Sequence, residues 1–387
     1  MTRRDALRNL AVLAAGSPLL RAQQEIRYTH ERLPLLTDLV NVLEFEPVAK
    51  SKLSRETYDF IAGGVDDEDT LRRNREAFRW FTLRPRMLVN VSKLDLSLEL
   101  FGQKIDMPIL VSPTGGQGLS HPEGELAMAR GAGQLKTIMC VSTNSTFPID
   151  KIAAAATGPL WFQLYPGDDR DASRERVERA VAAGCKAVAF TVDTTYDSNR
   201  ERLRRLRTAG SSPAGAVRPR RGPEIPSQYR LNRRPTAELT WPFIAELNSY
   251  AKVPVLIKGI LTPEDARLAV QHGAAGILVS NHGGRYLGAS PSTIEVLPGI
   301  VDAVAGKIPV LIDGGLRRGT DILKALAIGA KAVMVGRPPL WGLAGYGQPG
   351  VVRVLELLQS ELALAMGLSG HPNLASIDRS AISFDRR

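Results

Sequence analysis

His282 is the residue best placed to move a proton. It stands in Ser280-Asn281-His282-Gly283-Gly284-Arg285, at the end of an apolar run. An isolated histidine is more often structural than catalytic, but this one closes a strand pattern and is followed by two glycines and an arginine. Asp193 ends a similar run at 187–193, from which an inward carboxylate would reach the imidazole and raise its basicity. The other histidines lack such a setting. His30 lies in the N-terminal tail, His272 at a helix end and His371 in the C-terminal tail, and His121 reads as a cap for the helix pattern after it. No pair has metal-ligand spacing, so no catalytic metal is expected. Gly315 and Gly336 end two further runs and precede Arg317 and Arg337. Glycines admit close backbone N–H approach and guanidinium groups clamp phosphate oxygens, which predicts a phosphorylated ligand. Lys258 also ends an apolar run. The residues alone leave it open as a lysine reaching solvent, a Schiff-base former or a cation facing an anionic cofactor.

Such residues act together only if a scaffold gathers the ends of separate strands. Eight short runs rich in β-branched residues recur at 105–113, 137–143, 159–165, 187–193, 253–259, 276–282, 308–314 and 332–336. They are apolar without alternation, the mark of strands buried on both faces of a parallel sheet. Helical patterns lie between them, as at 122–135, 174–183, 263–272, 319–328 and 351–366. The fold class predicted is α/β, a (β/α)8 TIM barrel with an N-terminal helical extension and a long loop after the fourth strand. Chemistry in this fold sits at the C-terminal strand ends, with phosphate bound after the last two strands. All eight runs carry polar residues or glycine at or beside their ends, the first as Ser112-Pro113-Thr114-Gly115, where a barrel core would have placed Val or Ile.

The chain has 387 residues, 44% hydrophobic and 23% charged, which excludes disorder and coiled coil. Two cysteines exclude a disulfide framework, and Cys140 and Cys185 read as buried thiols. No run reaches the ~18 apolar residues of a membrane span. The net charge of +10 is local: residues 200–234 hold eleven arginines against Glu201 and Glu224, which is +9, and leave +1 for the rest. No element for reading bases accompanies that charge, so nucleic acid is not an expected partner. The loop at 200–235 would lie on anionic lipid head groups or steer an acidic electron acceptor, unless it is simply solvated. Residues 1–22 carry Arg3-Arg4 ahead of a short uncharged stretch, which predicts a twin-arginine export signal and a periplasmic protein. Residues 23–104 would form a tail and an extension with helices near 47–62 and 67–78, closing the bottom of the barrel or one of its sides. The barrel would span 105–370 and a C-terminal tail 371–387.

The run Ser280–Arg285, with Pro291 and Thr293, resembles the signature of the FMN-dependent 2-hydroxy-acid oxidases and dehydrogenases. That family includes glycolate oxidase, L-lactate dehydrogenase and mandelate dehydrogenase. The resemblance runs from about Pro47 to about Ile382 and takes in Arg84-Pro85-Arg86, His121-Pro122-Glu123-Gly124-Glu125, Phe162-Gln163-Leu164-Tyr165, Thr191-Val192-Asp193-Thr194 and Asp313-Gly314-Gly315. It implies FMN across the barrel mouth, with the backbone of Pro113, Thr114 and Gly115 near the reactive N5. Ser142, Gln163 and Thr191 would hydrogen-bond the ring system and ribityl chain. Lys258 would face the N1–C2 edge as the cofactor cation. Ser280 and Asp313 would also touch FMN, and Gly315, Arg317, Gly336 and Arg337 would hold its phosphate. His282 would take the substrate proton, oriented by Asp193. Arg200 and Arg285 would bind the substrate carboxylate and Tyr165 its 2-hydroxyl. The implied reaction oxidises an L-2-hydroxy acid to the 2-oxo acid and passes electrons to a quinone, a cytochrome or oxygen. Members of the family are often tetramers.

Three positions depart from the resemblance. Phe60 stands where the family carries a tyrosine on the carboxylate, and the missing hydrogen bond costs about 1.5–3 kcal/mol if nothing replaces it. A shift in the helix would let Tyr58 take its place. Asn144 replaces a bulky aromatic found in several members, which predicts a roomier or more polar pocket. Gly115 is alanine in many oxidases and glycine in some dehydrogenases, which points to a dehydrogenase. The other readings weighed are an FMN barrel of another reaction class, isomerase-like, and a non-catalytic flavin-binding module.

Overall fold

The computed structural model describes residues 33–167, 169–208 and 232–385. The chain enters through three short helices, α1 (Phe45–Lys52), α2 (Arg55–Ala62) and α3 (Asp69–Glu76). Strand β1 (Phe81–Leu83) pairs antiparallel with the last strand, Ile382–Phe384, and so ties the extension to the C-terminal segment. An antiparallel hairpin of β2 (Leu98–Leu100) and β3 (Gln103–Ile105) follows.

The frame is a closed barrel of eight parallel strands, and they are the eight apolar runs of the sequence. In order they are β4 (Ile109–Val111), β5 (Met139–Ser142), β6 (Leu160–Leu164), β7 (Val188–Thr191), β8 (Val255–Ile260), β9 (Gly276–Val279), β10 (Val310–Ile312) and β11 (Ala332–Val335). Pairing of β11 with β4 closes the ring. The helices outside it are α4 (Gly124–Gln134), α5 (Ile149–Ala155), α6 (Arg170–Ala182), α7 (Glu201–Thr208), α8 (Phe243–Ala251), α9 (Pro263–Gln271), α10 (Thr293–Val304), α11 (Gly319–Ile328) and α12 (Arg337–Ser369). The last bends where Gly347 leaves helical geometry beside Pro349. Helix α9 starts with Pro263 in its first turn and the Thr262 side chain accepting from Asp265 N, a start the sequence pattern announces.

Alternate residues of the strands build two cores. Those pointing outward pack under the helices. Those pointing inward, among them Leu110, Cys140, Trp161, Leu256, Leu278, Leu311 and Met334, fill the barrel interior, and Leu98, Leu100 and Ile105 of the hairpin seal its N-terminal end. Phe101 at the hairpin tip packs on Trp161 at 5.6 Å between ring centroids, and Trp161 Nε1 donates to Gln103 Oε1 at 3.2 Å. Both cysteines are free and buried, and burial raises their thiol pKa.

Two expectations need correction here. The extension does not close the bottom as a unit: among its described residues the β2–β3 hairpin does. Helix α2 crosses the opposite end, the C-terminal mouth, where Phe60 and Ile61 enter the cavity wall. Its terminal carbonyls need donors, and the mouth supplies arginines. The insertion after β7 is not irregular throughout, since it opens with α7, whose Arg202 pairs with Asp59 and Glu68. Leu206 of α7 is buried, and Glu201 pairs with Arg205 one turn on. The remainder of the basic loop, 209–231, lies outside the described residues.

Candidate active site

A cavity of about 430 Å³ opens at the C-terminal mouth. Ser112, Pro113, Thr114 and Gly115 reach it from the end of β4, and Ser142 and Asn144 from β5. Tyr165 comes from β6, Lys258 from β8, and His282 and Arg285 from the turn after β9. Asp313, Gly315 and Arg317 follow β10, and Gly336 and Arg337 follow β11. Arg200 and Arg234 come from the connection between β7 and α8.

Three side chains form a proton-handling chain. His282 Nδ1 lies 3.0 Å from Asp193 Oδ1 and 3.1 Å from Oδ2. On the other side of the ring, Nε2 lies 3.0 Å from the Tyr165 hydroxyl. Lys258 Nζ is 3.3 Å from Nδ1, but an ammonium only donates. A carboxylate only accepts, so Nδ1 carries the proton and donates it to Asp193. Nε2 is then a lone pair that accepts from Tyr165, and Lys258 acts on the ring through its charge. Burial, then the Lys258 charge, push the imidazole pKa down to about 4 against the opposing pull of Asp193. Burial would raise the Asp193 carboxyl, but Lys258 and His282 bring it below the usual range. Burial raises the Tyr165 hydroxyl, which stays protonated. At neutral pH the chain is carboxylate, neutral imidazole, phenol: a base ready to accept.

Its geometry is bought with strain. His282, Gly283 and Gly284 lie consecutively in the left-handed region, at φ 57, 65 and 73. A non-glycine residue there costs roughly 1–2 kcal/mol. The His282 N–H donates to Ser280 Oγ at 3.1 Å, and the Tyr286 ring packs edge-on at 4.6 Å. A Cβ at Gly283 would sit 2.8 Å from Arg337 Nη1, and one at Gly284 would sit 2.7 Å from the Leu71 backbone. That explains the two glycines.

The arginines converge on the C-terminal end of α2. Arg285 Nη1 donates to Ile61 O at 3.0 Å. Arg337 donates to Ile61 O at 2.9 Å, Gly63 O at 3.1 Å and Gly283 O at 3.0 Å. Arg200 Nη1 reaches Phe60 O at 3.4 Å. The Phe60 ring faces two of these cations, with Arg200 Cζ 4.7 Å and Arg285 Cζ 5.2 Å from its centroid. Burial and mutual repulsion hold Arg285 well below its usual pKa. Burial, with Arg75 and Arg337 nearby, brings Arg317 to about 9, and burial brings Arg337 to about 10. Buried cations in such straits are a site for anions. Ser112 Oγ and Asp313 Oδ1, both on the wall, are buried with no hydrogen-bond partner in the protein. The mouth therefore fits a ligand with an anionic end near Arg317 and Arg337 and hydroxyl or amide groups for the unpaired oxygens.

Comparison with known proteins agrees. Residues 49–384 match the family described as FMN-dependent dehydrogenase. The chain belongs to that family. A peroxisomal (S)-2-hydroxyacid oxidase of Arabidopsis thaliana is 43% identical over 354 residues, covering 90% of this chain and 97% of the relative. Glycolate oxidase of Spinacia oleracea is 42% identical, covering 90% and 96%. Among solved structures, mandelate oxidase with a difluorinated hydroxyphenylpropionic acid superposes with a TM-score of 0.80 at 39% identity, covering 90% of this chain and all of that one. A flavocytochrome b2 variant with pyruvate bound superposes with a TM-score of 0.83 at 34% identity, covering 91% and 88%. As a member of that family, the protein is an oxidoreductase that uses FMN to oxidise a 2-hydroxy acid. The isomerase-like and non-catalytic readings are not favoured.

The expectation of twin-arginine export to the periplasm is overturned. The relatives whose names state a compartment are peroxisomal oxidases. Two arginines before a short uncharged stretch are a pattern of composition that an ordinary N-terminal tail also satisfies, and residues 1–22 lie outside the described residues. Among the described residues no helix is long and apolar enough to cross a membrane, and no cluster suits a metal ion.

Most of the sequence-derived site residues line one cavity, but four stand behind its wall. Asp193 backs His282. Ser142 Oγ donates to Gln163 Oε1 at 3.1 Å, and Gln163 Nε2 donates to Thr191 Oγ1 at 2.9 Å. Ser280 supports the His282 backbone. Tyr58 does not replace the missing tyrosine. Its hydroxyl lies 3.1 Å from Glu46 Oε1 and its ring stacks on Trp341 at 5.7 Å. Two helical residues turn it about 200° away from Phe60. A Cβ on Gly115 would sit 2.9 Å from Asn144 O, so these two unusual positions are neighbours. His121 does not cap the helix after it, whose N-cap is Glu123; its Nδ1 accepts from Glu123 N at 3.2 Å in the turn ahead of the helix. Sequence reasoning missed Arg234 and Tyr286. Tyr286 directly follows the motif arginine, whereas nothing marks Arg234 among the loop's other arginines.

Proposed function

We propose that Arg200 and Arg285 bind the carboxylate of the 2-hydroxy acid, that Tyr165 holds its 2-hydroxyl, and that His282 Nε2 takes the proton the substrate gives up. The observation that carries this is the Asp193–His282–Tyr165 chain, linked at 3.0 Å on both sides of the ring and opening on the cavity that both arginines line. Asp193 fixes the tautomer and stabilises the imidazolium once it forms. Arg285 and Arg200 would exchange carbonyls at the end of α2 for the substrate carboxylate, which relieves their crowding. FMN supplies the hydride acceptor when bound. It would be held by the backbone of Pro113, Thr114 and Gly115, by Ser142 and Asp313, and by Lys258 against the negative charge of the reduced ring, with Gln163, Thr191 and Ser280 supporting these contacts from behind the wall. Its phosphate would meet Gly315, Arg317, Gly336 and Arg337. Arg337 has spent three donors on backbone carbonyls, so it keeps two N–H groups for the phosphate.

The oxidase relatives support oxygen as the electron acceptor, while glycine rather than alanine at 115 supports a carrier such as a quinone or cytochrome. The rate at which air restores the colour of the reduced enzyme separates the two. The same reading makes 105–370 the catalytic barrel, 23–104 its tail and extension, 371–387 a tail, and 200–234 the segment for an anionic lipid surface. It also makes the molecule a tetramer, with exposed Leu88, Leu364 and Leu368 as apolar surface for a second copy to cover. The test of the roles is His282→Asn. It should keep bound FMN and slow flavin reduction by the substrate about 10²–10⁴-fold. Unchanged reduction would remove His282 from the chemistry.

A further inference from the structure

The cavity wall carries six basic side chains, Lys258, Arg200, Arg234, Arg285, Arg317 and Arg337, against one carboxylate, Asp313. On the reading above, three of them serve FMN and two the substrate carboxylate. Arg234 is left over, and it is no stray surface arginine. Its backbone N–H donates to Thr195 O at 2.9 Å, and the bridge between Tyr196 and Arg233 pins the segment beside it. Its Nε donates to Asp197 Oδ1 at 2.7 Å. Asp197 engages one edge of the guanidinium and leaves the Nη1 edge without a hydrogen bond to it. Arg234 lines the same cavity as Tyr286 and Tyr165, the residue assigned to the substrate hydroxyl. The same cavity holds Asn144, a small polar residue with both donor and acceptor.

We propose that the preferred substrate is a 2-hydroxydicarboxylic acid whose distal carboxylate binds Arg234, with Asn144 and Tyr286 lining the space its chain occupies. This rests on the oxidation assigned above and adds no reactant: C2 gives up its hydride, the hydroxyl proton goes to His282, and the second carboxylate is a handle. Asp197 holds the guanidinium in place for it, so Arg234 sets specificity and takes no part in the chemistry.

The test is anaerobic flavin reduction by the full-length holoenzyme with acids matched in chain length: (S)-malate against (S)-2-hydroxybutyrate, and (S)-2-hydroxyglutarate against (S)-2-hydroxyvalerate. The expected result is a diacid preference of about tenfold or more in at least one pair, as a charge-assisted pair gives. Arg234→Gln should abolish that preference through the concentration dependence, and Arg234→Lys should restore part of it. The flavin spectrum of each variant reports that it folds and loads FMN. Equal or better reduction by the monoacids, or a loss in Arg234→Gln that falls equally on diacid and monoacid, overturns the inference and leaves the oxidation standing. No reduction by these four acids, lactate or mandelate overturns the oxidation itself and this inference with it.

Discussion

At the scale of single residues, the site is a set of cations held apart from the anions they fit. Phe60 shows the consequence most directly. Its ring lies against Arg200 and Arg285, the two arginines proposed to bind the carboxylate. Phe60→Tyr should therefore lower KM about tenfold or more, the worth of one charge-assisted hydrogen bond at about 1.5–3 kcal/mol, with a smaller change in kcat. Steady-state kinetics with the best 2-hydroxy acid would check it. His282 gives a pH prediction. Its pKa is about 4 in the folded protein against 6.5 for an ordinary histidine. Between those values the unfolded chain binds a proton that the folded one refuses, so this residue lowers stability as pH falls from 6.5 toward 4. Denaturant titrations of the FMN-free protein at pH 7 and pH 5 should show the loss, and His282→Asn should shrink it. The motif around His282 made its place in the site legible in the sequence. Arg234 was not legible, because an arginine among eleven carries no pattern until the chain brings it back to the mouth.

At the scale of elements, the strands were legible and the placement of helices was not. Each barrel strand is buried on both faces, so its apolar run is unbroken and its polar end stands out. An amphipathic pattern gives a helix such as α2 but not the surface it docks on, and so the extension was expected at the bottom or side of the barrel rather than across its mouth. What holds α2 there is the set of arginine donors on the carbonyls of Phe60, Ile61 and Gly63. The turn after β9 belongs to the same arrangement. Gly283→Ala would need a left-handed alanine whose Cβ falls 2.8 Å from Arg337 Nη1. A cost of about 1–3 kcal/mol is expected, together with weaker FMN retention, read by thermal melting and by the bound-flavin absorbance. At the closed end, Trp161→Ala would open the barrel core beneath the hairpin and should cost about 3–5 kcal/mol in a denaturant titration, with the flavin spectrum retained in whatever remains folded.

For the molecule as a whole, fold and function meet in one electrostatic balance. The buried arginines repel one another, and FMN with its phosphate would supply the counter-charge. Removal of FMN should lower the melting temperature, and added FMN should raise it with a concentration dependence set by its affinity. Inorganic phosphate should restore part of that gain in the FMN-free protein through Arg317 and Arg337, and a neutral sugar should not. This barrel uses FMN to oxidise a 2-hydroxy acid, and on the proposed roles His282 is the base. The most direct measurement is the visible spectrum of the anaerobic holoenzyme before and after addition of (S)- and (R)-2-hydroxy acids. Bleaching of the flavin by at least one (S) acid, absent with its (R) partner and nearly abolished in His282→Asn, is the predicted result. A flavin that no hydroxy acid bleaches, or one bleached equally fast without His282, would contradict it.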